Sequence, residues 1–489
     1  MSEQGERALE VERKYALPEG VEMPDLRELG SISEPRTDTL VADYHDTAEL
    51  TLSAARTTLR HRSGGADAGW HLKTRAKGDA RHEVRLPGTR RHVPAELRAE
   101  VAEVLQTRAL LPVVRLITTR TTTELLDDAG VARAEIVFDE VDGRVLRPGV
   151  NRHVQWVEAE VELVGDEPEE TFADVEKVLF GAGLQRSPWA SKLAHVLDGV
   201  EPATRPDMDA PAIRAVAWVM GTHVGRLQSL ETGVWEDAPD AVHQARVAAR
   251  RMRSILQIFG SVFERDRQRA LRQELRWAGA MLGGARDAEV LIEEFSNLLD
   301  GLDSDQIVGP VHDRIMDGLR ARHGDAHTEV RGELTGERWD GLLAELAEFV
   351  ADPPSGKRSG RADDVLVALA QKSVNRVQER FETAKADPEE DENWHDVRKA
   401  AKAARYAYEL LAELGHESAE DERRKWKAVA STLGEMQDAR LLADELEVFE
   451  QQARDAGEPL ETYRTLAGRL ATMHDEALST GRRLVTELI

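Results

Sequence analysis

The chain has 489 residues, of which 41% are hydrophobic and 32% charged, a balance typical of globular proteins with sizeable cores. Its net charge of −26 argues against a duplex nucleic acid as partner. Because the chain contains no cysteine, disulfides and thiolate metal sites are excluded, and any metal must be bound by Asp, Glu or His.

The N-terminal region has the pattern of short strands. Period-2 alternation with turn-rich breaks predicts an antiparallel barrel or sandwich. The predicted strands are Leu9–Tyr15, Thr58–Arg62, Gly69–Lys73, Val84–Leu86, Val113–Thr123, Ala132–Phe138 and Val154–Leu163. Two helices are predicted among them, at Pro94–Gln106 and Pro168–Phe180.

The periodicity becomes helical after Gly199–Pro211, a segment with three prolines that we interpret as a linker. A second break at Ala351–Arg361 divides the helical region. We therefore predict a multi-domain α+β protein. It has an N-terminal antiparallel β-barrel over residues 1–198, a linker over 199–211 and an all-α domain over 212–489, built of two pseudo-symmetric helical bundles at about 212–350 and 362–489.

The two helical halves repeat one another. His243 and His395 are each followed by cations at +3, +7 and +10, namely Arg246, Arg250 and Arg253 in the first half and Arg398, Lys402 and Arg405 in the second. A Leu-Gly pair and an aspartate follow, so that 44 residues separate His243 from Asp287 and 43 separate His395 from Asp438. This agreement indicates an internal duplication. The two aspartates are expected to orient neighbouring cations.

Acidic residues share a face on each of two predicted strands, because strand side chains alternate with a period of two. These residues are Glu10 and Glu12, with Lys14, on the first strand and Glu158, Glu160 and Glu162 on the last. Carboxylates in a row repel one another unless cations compensate. The two strands therefore predict a site of oxygen ligands suited to Mg²⁺ or Mn²⁺.

Basic residues occupy the strands between the acidic ones. Cationic groups that converge on one channel suit a polyanion with several phosphates. Arg60 and Arg62 share a face, as do Lys73 and Arg75, and the further candidates from other segments are Arg85, Arg115, Arg120, Arg133 and Lys192. The same alternation also fits a sandwich whose charged face simply meets water, and that alternative stays open at this point.

Taken in order, these segments resemble the CYTH superfamily, the triphosphate tunnel metalloenzymes. Glu10-Val-Glu12-Arg-Lys14 is similar to the ExExK signature of that family, and further segments follow its usual order up to Ser191-Lys192. The resemblance implies an antiparallel barrel whose lumen binds a linear triphosphate, with Glu10, Glu12 and Lys14 as catalytic residues.

The resemblance also implies a division of roles among the charged residues. One or two divalent cations would be held by Glu10, Glu12, Asp139 and two of Glu158, Glu160 and Glu162. The phosphates would be held by Lys14, Arg60, Arg62, Lys73, Arg85, Arg120 and Lys192. Which two of the three glutamates bind metal is left open, with Glu160 as the favoured one.

The helical half resembles the CHAD domain over about residues 210–489, with His243 and His395 as the histidines after which that family is named. This resemblance implies a basic surface that binds inorganic polyphosphate. The repeated cations fit that role, because Arg and Lys at helical spacing can hold a flexible polyanion.

The resulting hypothesis is a cytoplasmic enzyme without a membrane partner. Its tunnel would hydrolyse inorganic triphosphate or short polyphosphate with Mg²⁺ or Mn²⁺, and its helical domain would bind polyphosphate. Two alternatives remain open: a non-enzymatic polyphosphate-binding scaffold, and a hydrolase or cyclase that acts on an organic triphosphate. Trp70 and Trp156 are the aromatic residues that could stack on the base of an organic substrate. The sequence predicts neither the preferred chain length nor the oligomeric state.

Overall fold

The computed structural model describes residues 6–18, 20–21, 23–76, 80–147, 149–165, 167–388 and 390–488. The chain divides into two compact units, residues 1–204 with 343–352 and residues 205–342 with 353–489. Among the helices in the described ranges, none is both long enough and apolar enough to cross a membrane.

The first unit contains the strands. They are β1 (Glu6–Ala16), β2 (Ser31–Ile32), β3 (Arg36–Asp46), β4 (Thr58–Ser63), β5 (Gly69–Arg75), β6 (Ala80–Pro87), β7 (Leu111–Leu126), β8 (Ala132–Val145), β9 (His153–Leu163) and β10 (Gln185–Arg186). Eight of them follow the spatial order β1-β6-β5-β4-β3-β7-β8-β9, and antiparallel pairing of β9 with β1 closes the ring. The predicted antiparallel barrel is therefore confirmed.

Short helices connect and cover the strands. They are α1 (Thr51–Ala54), α2 (Ala95–Glu100), α3 (Ala102–Leu105), α4 (Glu170–Gly181) and α5 (Lys192–Leu197), with a 3₁₀ turn at Leu26–Leu29. The single helix predicted over Pro94–Gln106 is wrong, because Val101 has φ −118° and separates α2 from α3.

The strand β3 has no counterpart among the predicted strands. Its sequence places polar residues on both faces, with Asp38 on the lumen side and Thr37 and Asp43 on the other, so that the period-2 contrast is weak. The strand is nevertheless essential to the ring, because it joins β4 to β7.

The apolar faces of the strands point outwards. Tyr15, Ile136 and Val161 pack against α4 through Phe172 and Val175. On another side, apolar residues of β4 and β5 pack against the helix pair α2 and α3. The charged faces therefore line the interior of a closed barrel, and the sandwich alternative is wrong.

One end of the lumen is filled by α5. Its residues Leu193 and Val196 pack against inward-facing Leu116 and Val141. Gly143 makes this approach possible, since a Cβ there would lie 2.6 Å from a methyl carbon of Val196. The apolar plug leaves the remaining lumen to charged residues and places the start of α5 inside it.

From residue 205 onward the described chain is helical. The helices are α6 (Ala212–Trp235), α7 (Ala241–Ile258), α8 (Arg265–Met281), α9 (Gly283–Asp300), α10 (Val311–Leu334), α11 (Glu337–Ala351), α12 (Ala362–Ala386), α13 (Asp391–Glu413), α14 (Ala419–Asp455) and α15 (Glu461–Leu488), with a 3₁₀ turn at Gly260–Val262. The predicted all-α region is confirmed.

The internal duplication is visible in this helical unit. The repeated motif starts on α7 and on α13, and its Leu-Gly pair falls between α8 and α9 in the first copy and inside the continuous α14 in the second. The stripe predicted to face the core is buried, as Ala249 and Met252 on α7 and Ala401 and Ala404 on α13 show. The helices α7 and α13 pack against each other. The cations of the two copies therefore lie on adjacent helices.

Candidate active site

The charged interior of the barrel encloses a cavity of about 640 Å³. It brings together most of the residues that the sequence singled out. Those that line it are Glu10, Glu12, Lys14, Arg60, Arg62, Lys73, Arg85, Arg120, Glu160, Glu162 and Lys192. Asp139 and Glu158 are almost fully buried beside it and reach its residues through ion pairs. Arg115 and Arg133 do not line this cavity and pair instead with Asp43 and Glu167.

Strand register places opposite charges face to face where the ring closes. In the pairing of β1 with β9, Lys14 lies opposite Glu160 and Glu12 lies opposite Glu162. The ammonium of Lys14 donates to Glu12 at 3.1 Å and contacts Glu160. Directly opposite residues are the closest neighbours that a sheet provides, so the contact of Lys14 with Glu160 follows from the register itself, while Glu12 lies two residues before Lys14 on the same face of β1.

The side chain of Lys192 lies at the centre of three buried carboxylates. Its Nζ is 2.9 Å from Asp139, 2.8 Å from Glu158 and 2.6 Å from Glu160. The start of α5 fixes this position, because the Ser191 side chain accepts a hydrogen bond from the backbone N–H of Ala194. The ammonium therefore acts as an internal counterion for the carboxylates.

The same carboxylates also bind a guanidinium group. Arg120 donates to both oxygens of Asp139, at 2.9 and 2.7 Å, and to Glu160 at 2.9 Å. This fork geometry fixes Asp139 and leaves Arg120 facing the cavity. One oxygen from each of Asp139, Glu158 and Glu160 lies within 4.8 Å of the others. Oxygen donors at such separations suit a hard divalent cation such as Mg²⁺ or Mn²⁺.

The charges in this cluster stabilise one another. Burial alone would raise the pKa of Glu12, but the ammonium groups of Lys14 and Lys73 lower it to about 2. Burial acts in the same direction on Glu160, where Lys14 and Lys192 nevertheless hold the pKa well below its usual range. Both carboxylates are therefore ionised at neutral pH.

Glu162 behaves differently from its two neighbours on β9. Burial, followed by the negative charge of Glu10, raises its pKa to about 8. Glu12 and Glu135 add to the same effect. At neutral pH Glu162 therefore holds a proton, unlike Glu12 and Glu160.

The basic residues Lys73 and Arg85 of the cavity are positioned by a carboxylate, Glu83, for which the sequence predicted no role. Glu83 is 1% exposed, accepts a hydrogen bond from Arg85 at 2.6 Å and lies 3.0 Å from His71 Nδ1. It also lies opposite Lys73 in the pairing of β5 with β6. Burial lowers the pKa of His71 to about 4, so that its ring is neutral. Glu83 is thus a positioning residue, and its alternation with Arg85 is the sequence signal that could have revealed it.

Other buried cations retain unused donors. Arg60 donates to the hydroxyl of Tyr44 at 3.2 Å, and Arg62 forms an ion pair with Asp67. The Nε atoms of both arginines are buried without a hydrogen-bond partner among the described residues. A buried donor without an acceptor lowers the stability of the fold, so the unpaired Nε atoms of Arg60 and Arg62 favour the binding of an anionic ligand. The sequence did not predict Tyr44 as a lining residue, because it lies on β3, which was not predicted as a strand.

The helical unit has a second group of cations. Arg246 donates to the carbonyl of Gly283 at 3.1 Å and to Asp287 at 2.7 Å. In the second copy, Arg398 lies 3.7 Å from Asp438 and next to Gly434, where a Cβ would meet its guanidinium at 3.1 Å. The repeated Gly and Asp therefore position the repeated arginine, as the sequence led us to expect for the aspartates.

The cations of the two copies act on one another. Burial, together with Arg398 and Arg250, lowers the pKa of Lys402 to about 8. Arg250 on α7 also donates to the Tyr406 hydroxyl on α13 at 3.1 Å. The buried atoms His395 Nδ1, Arg398 Nε and Arg405 Nε have no hydrogen-bond partner in the described part of the chain. Like charges with unused donors are typical of a surface that binds a polyanion.

Family models and sequence relatives cover both regions. The CYTH domain model matches residues 8–196, and the CHAD domain model matches residues 219–447. An uncharacterized protein of Mycobacterium tuberculosis is 32% identical over 479 residues, which cover 94% of this chain and 92% of that protein. Members of the CYTH family are triphosphatases or cyclases that bind triphosphate substrates and depend on a metal.

Solved structures align with one region at a time. The CHAD domain from the plant Ricinus communis is 23% identical, with a TM-score of 0.47, and covers 58% of this chain and 94% of its own. An adenylyl cyclase-like protein from Hippeastrum with a dominant triphosphatase activity is 21% identical, with a TM-score of 0.26, and covers 39% of this chain and 96% of its own.

Replacing Lys192 by methionine tests the role of its ammonium as counterion. The three carboxylates around it would then repel one another, and we expect the free energy of unfolding of the barrel to fall by about 3–5 kcal/mol in urea denaturation without metal. Millimolar MnCl₂ should restore part of this loss, because a cation bound by the folded state stabilises it. The exposed Lys177→Met variant is the control, with a change below about 0.5 kcal/mol. A Lys192→Met protein as stable as the wild type would contradict the assignment.

Proposed function

The chain belongs to the family of proteins in which a CYTH domain precedes a CHAD domain, and on that premise we propose that its tunnel hydrolyses inorganic triphosphate with a divalent metal ion. The observation that carries the proposal is the clustering of Asp139, Glu158 and Glu160 around Lys192, in a cavity that is also lined by Arg60, Arg62 and Arg120. Phosphoryl transfer depends on the positioning of the phosphates and on neutralisation of their charge, so it needs both the carboxylates that would bind a metal ion and the arginines that would bind the phosphates.

The three clustered carboxylates fit Mg²⁺ or Mn²⁺, because they offer ionisable oxygen donors and no softer ligand. Glu10 and Glu12 on the neighbouring strand β1 complete the acidic side of the proposed site. A bound cation supplies a Lewis acid for a phosphoryl oxygen and lowers the pKa of a coordinated water.

The basic residues bind and orient the phosphates. Arg60 and Arg62 supply guanidinium donors from β4, and Arg120 supplies a further one from β7. Lys14 and Lys192 neutralise carboxylates in this structure, and both would be free to contact phosphate oxygens if a divalent cation were bound by those carboxylates. Cationic side chains would therefore bind the proposed substrate along its whole length.

Water is the proposed nucleophile. The chain has no cysteine, and both ring nitrogens of His71 are occupied, Nδ1 by Glu83 at 3.0 Å and Nε2 by the Asp67 carbonyl at 2.8 Å. Its low pKa and these contacts give His71 a structural role rather than that of a general base.

The lining of the cavity favours an inorganic substrate over an organic triphosphate. Tyr44 is the only aromatic residue in the described lining. Trp70 is buried in the outer core and donates to the Arg90 carbonyl, while Trp156 donates to Glu158 and packs on His195 next to the plug. Neither tryptophan is available to stack on a base inside the tunnel.

The proposed activity is tested by phosphate release from inorganic tripolyphosphate with and without Mn²⁺. Glu160→Gln keeps the shape of the side chain but removes a metal-binding charge, and we expect kcat/KM to fall by at least about a hundredfold. Glu140→Gln, on the exposed outer face of β8, is the matched control and should retain full activity. Absence of phosphate release by the folded wild-type protein would favour the scaffold alternative.

We also propose that the helical unit binds inorganic polyphosphate between α7 and α13. Support comes from the repeated cations of the two copies, which stand on adjacent helices, where burial and neighbouring cations lower the pKa values of Lys402 and Arg253. In the second copy the buried Nε atoms of Arg398 and Arg405 lack acceptors among the described residues, and the oxygens of a linear polyphosphate would supply acceptors at repeated intervals.

The pH dependence of polyphosphate binding tests this second proposal. Polyphosphate prefers the ammonium form of Lys402, and the lowered pKa means that this form is lost as pH rises through about 8. We therefore expect affinity, measured by calorimetry, to fall between pH 7 and pH 9. Lys402→Gln should bind about tenfold more weakly at pH 7 and with a flatter pH profile. The exposed neighbour Lys399→Gln is the control, and equal behaviour of the two variants would refute the assignment.

A further inference from the structure

A second cavity adjoins the tunnel at the end of β1 that carries Lys14. Its volume is about 710 Å³. It shares several lining residues with the tunnel cavity, which are Glu12, Lys14, Thr58, Arg81 and Ser191. We refer to this cavity as the second mouth. A linear molecule that leaves the tunnel past Lys14 would enter it.

The second mouth is lined by five arginines, which are Arg13, Arg56, Arg75, Arg81 and Arg186. Glu12 is the single carboxylate in its described lining. Such an excess of positive charge in a concave site adjoining an anion-binding tunnel favours an anionic ligand over water alone.

The five arginines differ in how far their charge is compensated. Arg13 and Arg186 both pair with Glu176, at 3.3 and 2.8 Å. By contrast, Arg56 and Arg75 are exposed, and neither forms an ion pair or a side-chain hydrogen bond with another described residue. These two side chains are therefore available to a ligand.

The floor of the second mouth is fixed to the barrel. The backbone N–H of Ser187 donates to the carbonyl of Lys14 at 2.9 Å, and Arg81 donates to the carbonyl of Ala190 at 2.6 Å. Trp189 stacks on His195 of α5 with ring centroids 5.2 Å apart. The segment between β10 and α5 is thus held against both the strand and the plug, which gives the cavity a defined shape.

We propose that the second mouth binds the phosphates of a linear polyphosphate that extend beyond the tunnel. This inference rests on the proposed function of the tunnel. Phosphates in the tunnel are held by its own cations, and the next ones along the chain meet Arg56 and Arg75. These two arginines are therefore specificity-determining residues that favour chains longer than triphosphate.

The test uses the full chain with Arg250→Gln, Arg398→Gln and Lys402→Gln, which removes the proposed polyphosphate site of the helical unit. In this parent protein, Arg56→Gln and Arg75→Gln are combined. With Mn²⁺, kcat/KM for phosphate release from a size-fractionated longer polyphosphate should fall at least about tenfold, and that for tripolyphosphate less than about twofold. The control pair Arg90→Gln and Arg144→Gln removes equal charge from exposed arginines that line neither cavity, and should change neither value.

Equal losses on both substrates, or none on either, would overturn the inference. If the parent protein releases phosphate from neither substrate, the proposed function of the tunnel fails, and calorimetric binding of the same two polyphosphates decides the question of the second mouth. A loss of affinity confined to the longer chain then supports the inference, and an equal loss for both chains overturns it.

Discussion

The interior of the barrel depends on the mutual neutralisation of charges that are withdrawn from water. Burying a carboxylate or an ammonium alone costs several kcal/mol, and an attraction between partners offsets this cost only when geometry is good. Lys192 among Asp139, Glu158 and Glu160 supplies that geometry, and Arg120 adds a bidentate pair. Because these pairs neutralise one another, a charged lumen is compatible with a folded barrel.

This constraint explains where the hydrophobic core lies. The lumen holds charges, so the barrel is stabilised from outside, through α4 on one side and the pair α2 and α3 on another. The helix α5 provides both apolar packing and charge neutralisation. Its residues Leu193 and Val196 complete an apolar layer, while the ammonium of Lys192 lies among the carboxylates. The helical unit likewise places a neutralised cation beside apolar packing, since Arg246 donates to the Gly283 carbonyl and to Asp287 next to the apolar stripe of α7.

Much of this arrangement is predictable from sequence because it depends on strand alternation. The shared face of Glu10, Glu12 and Lys14, and the repeated cations of the helical halves, follow from periods of two and of about 3.6. Three features do not follow in this way. The strand β3 was not predicted because it carries polar residues on both faces. The apolar faces point outwards because the ring closes, which strand alternation alone does not reveal. The protonation of Glu162, which distinguishes it from Glu160, depends on the charges that surround each carboxylate.

In this structure the ammonium of Lys192 occupies the position among three carboxylates that we propose for a divalent metal ion, and it would contact the triphosphate when that ion is bound. A crystal soaked with Mn²⁺ and tripolyphosphate, measured by anomalous scattering, tests it most directly. We expect a manganese peak at bonding distance from Asp139, Glu158 and Glu160, with the ammonium of Lys192 moved onto a phosphate. Triphosphate bound elsewhere on the protein, with Lys192 still among the three carboxylates and no manganese beside them, would contradict it.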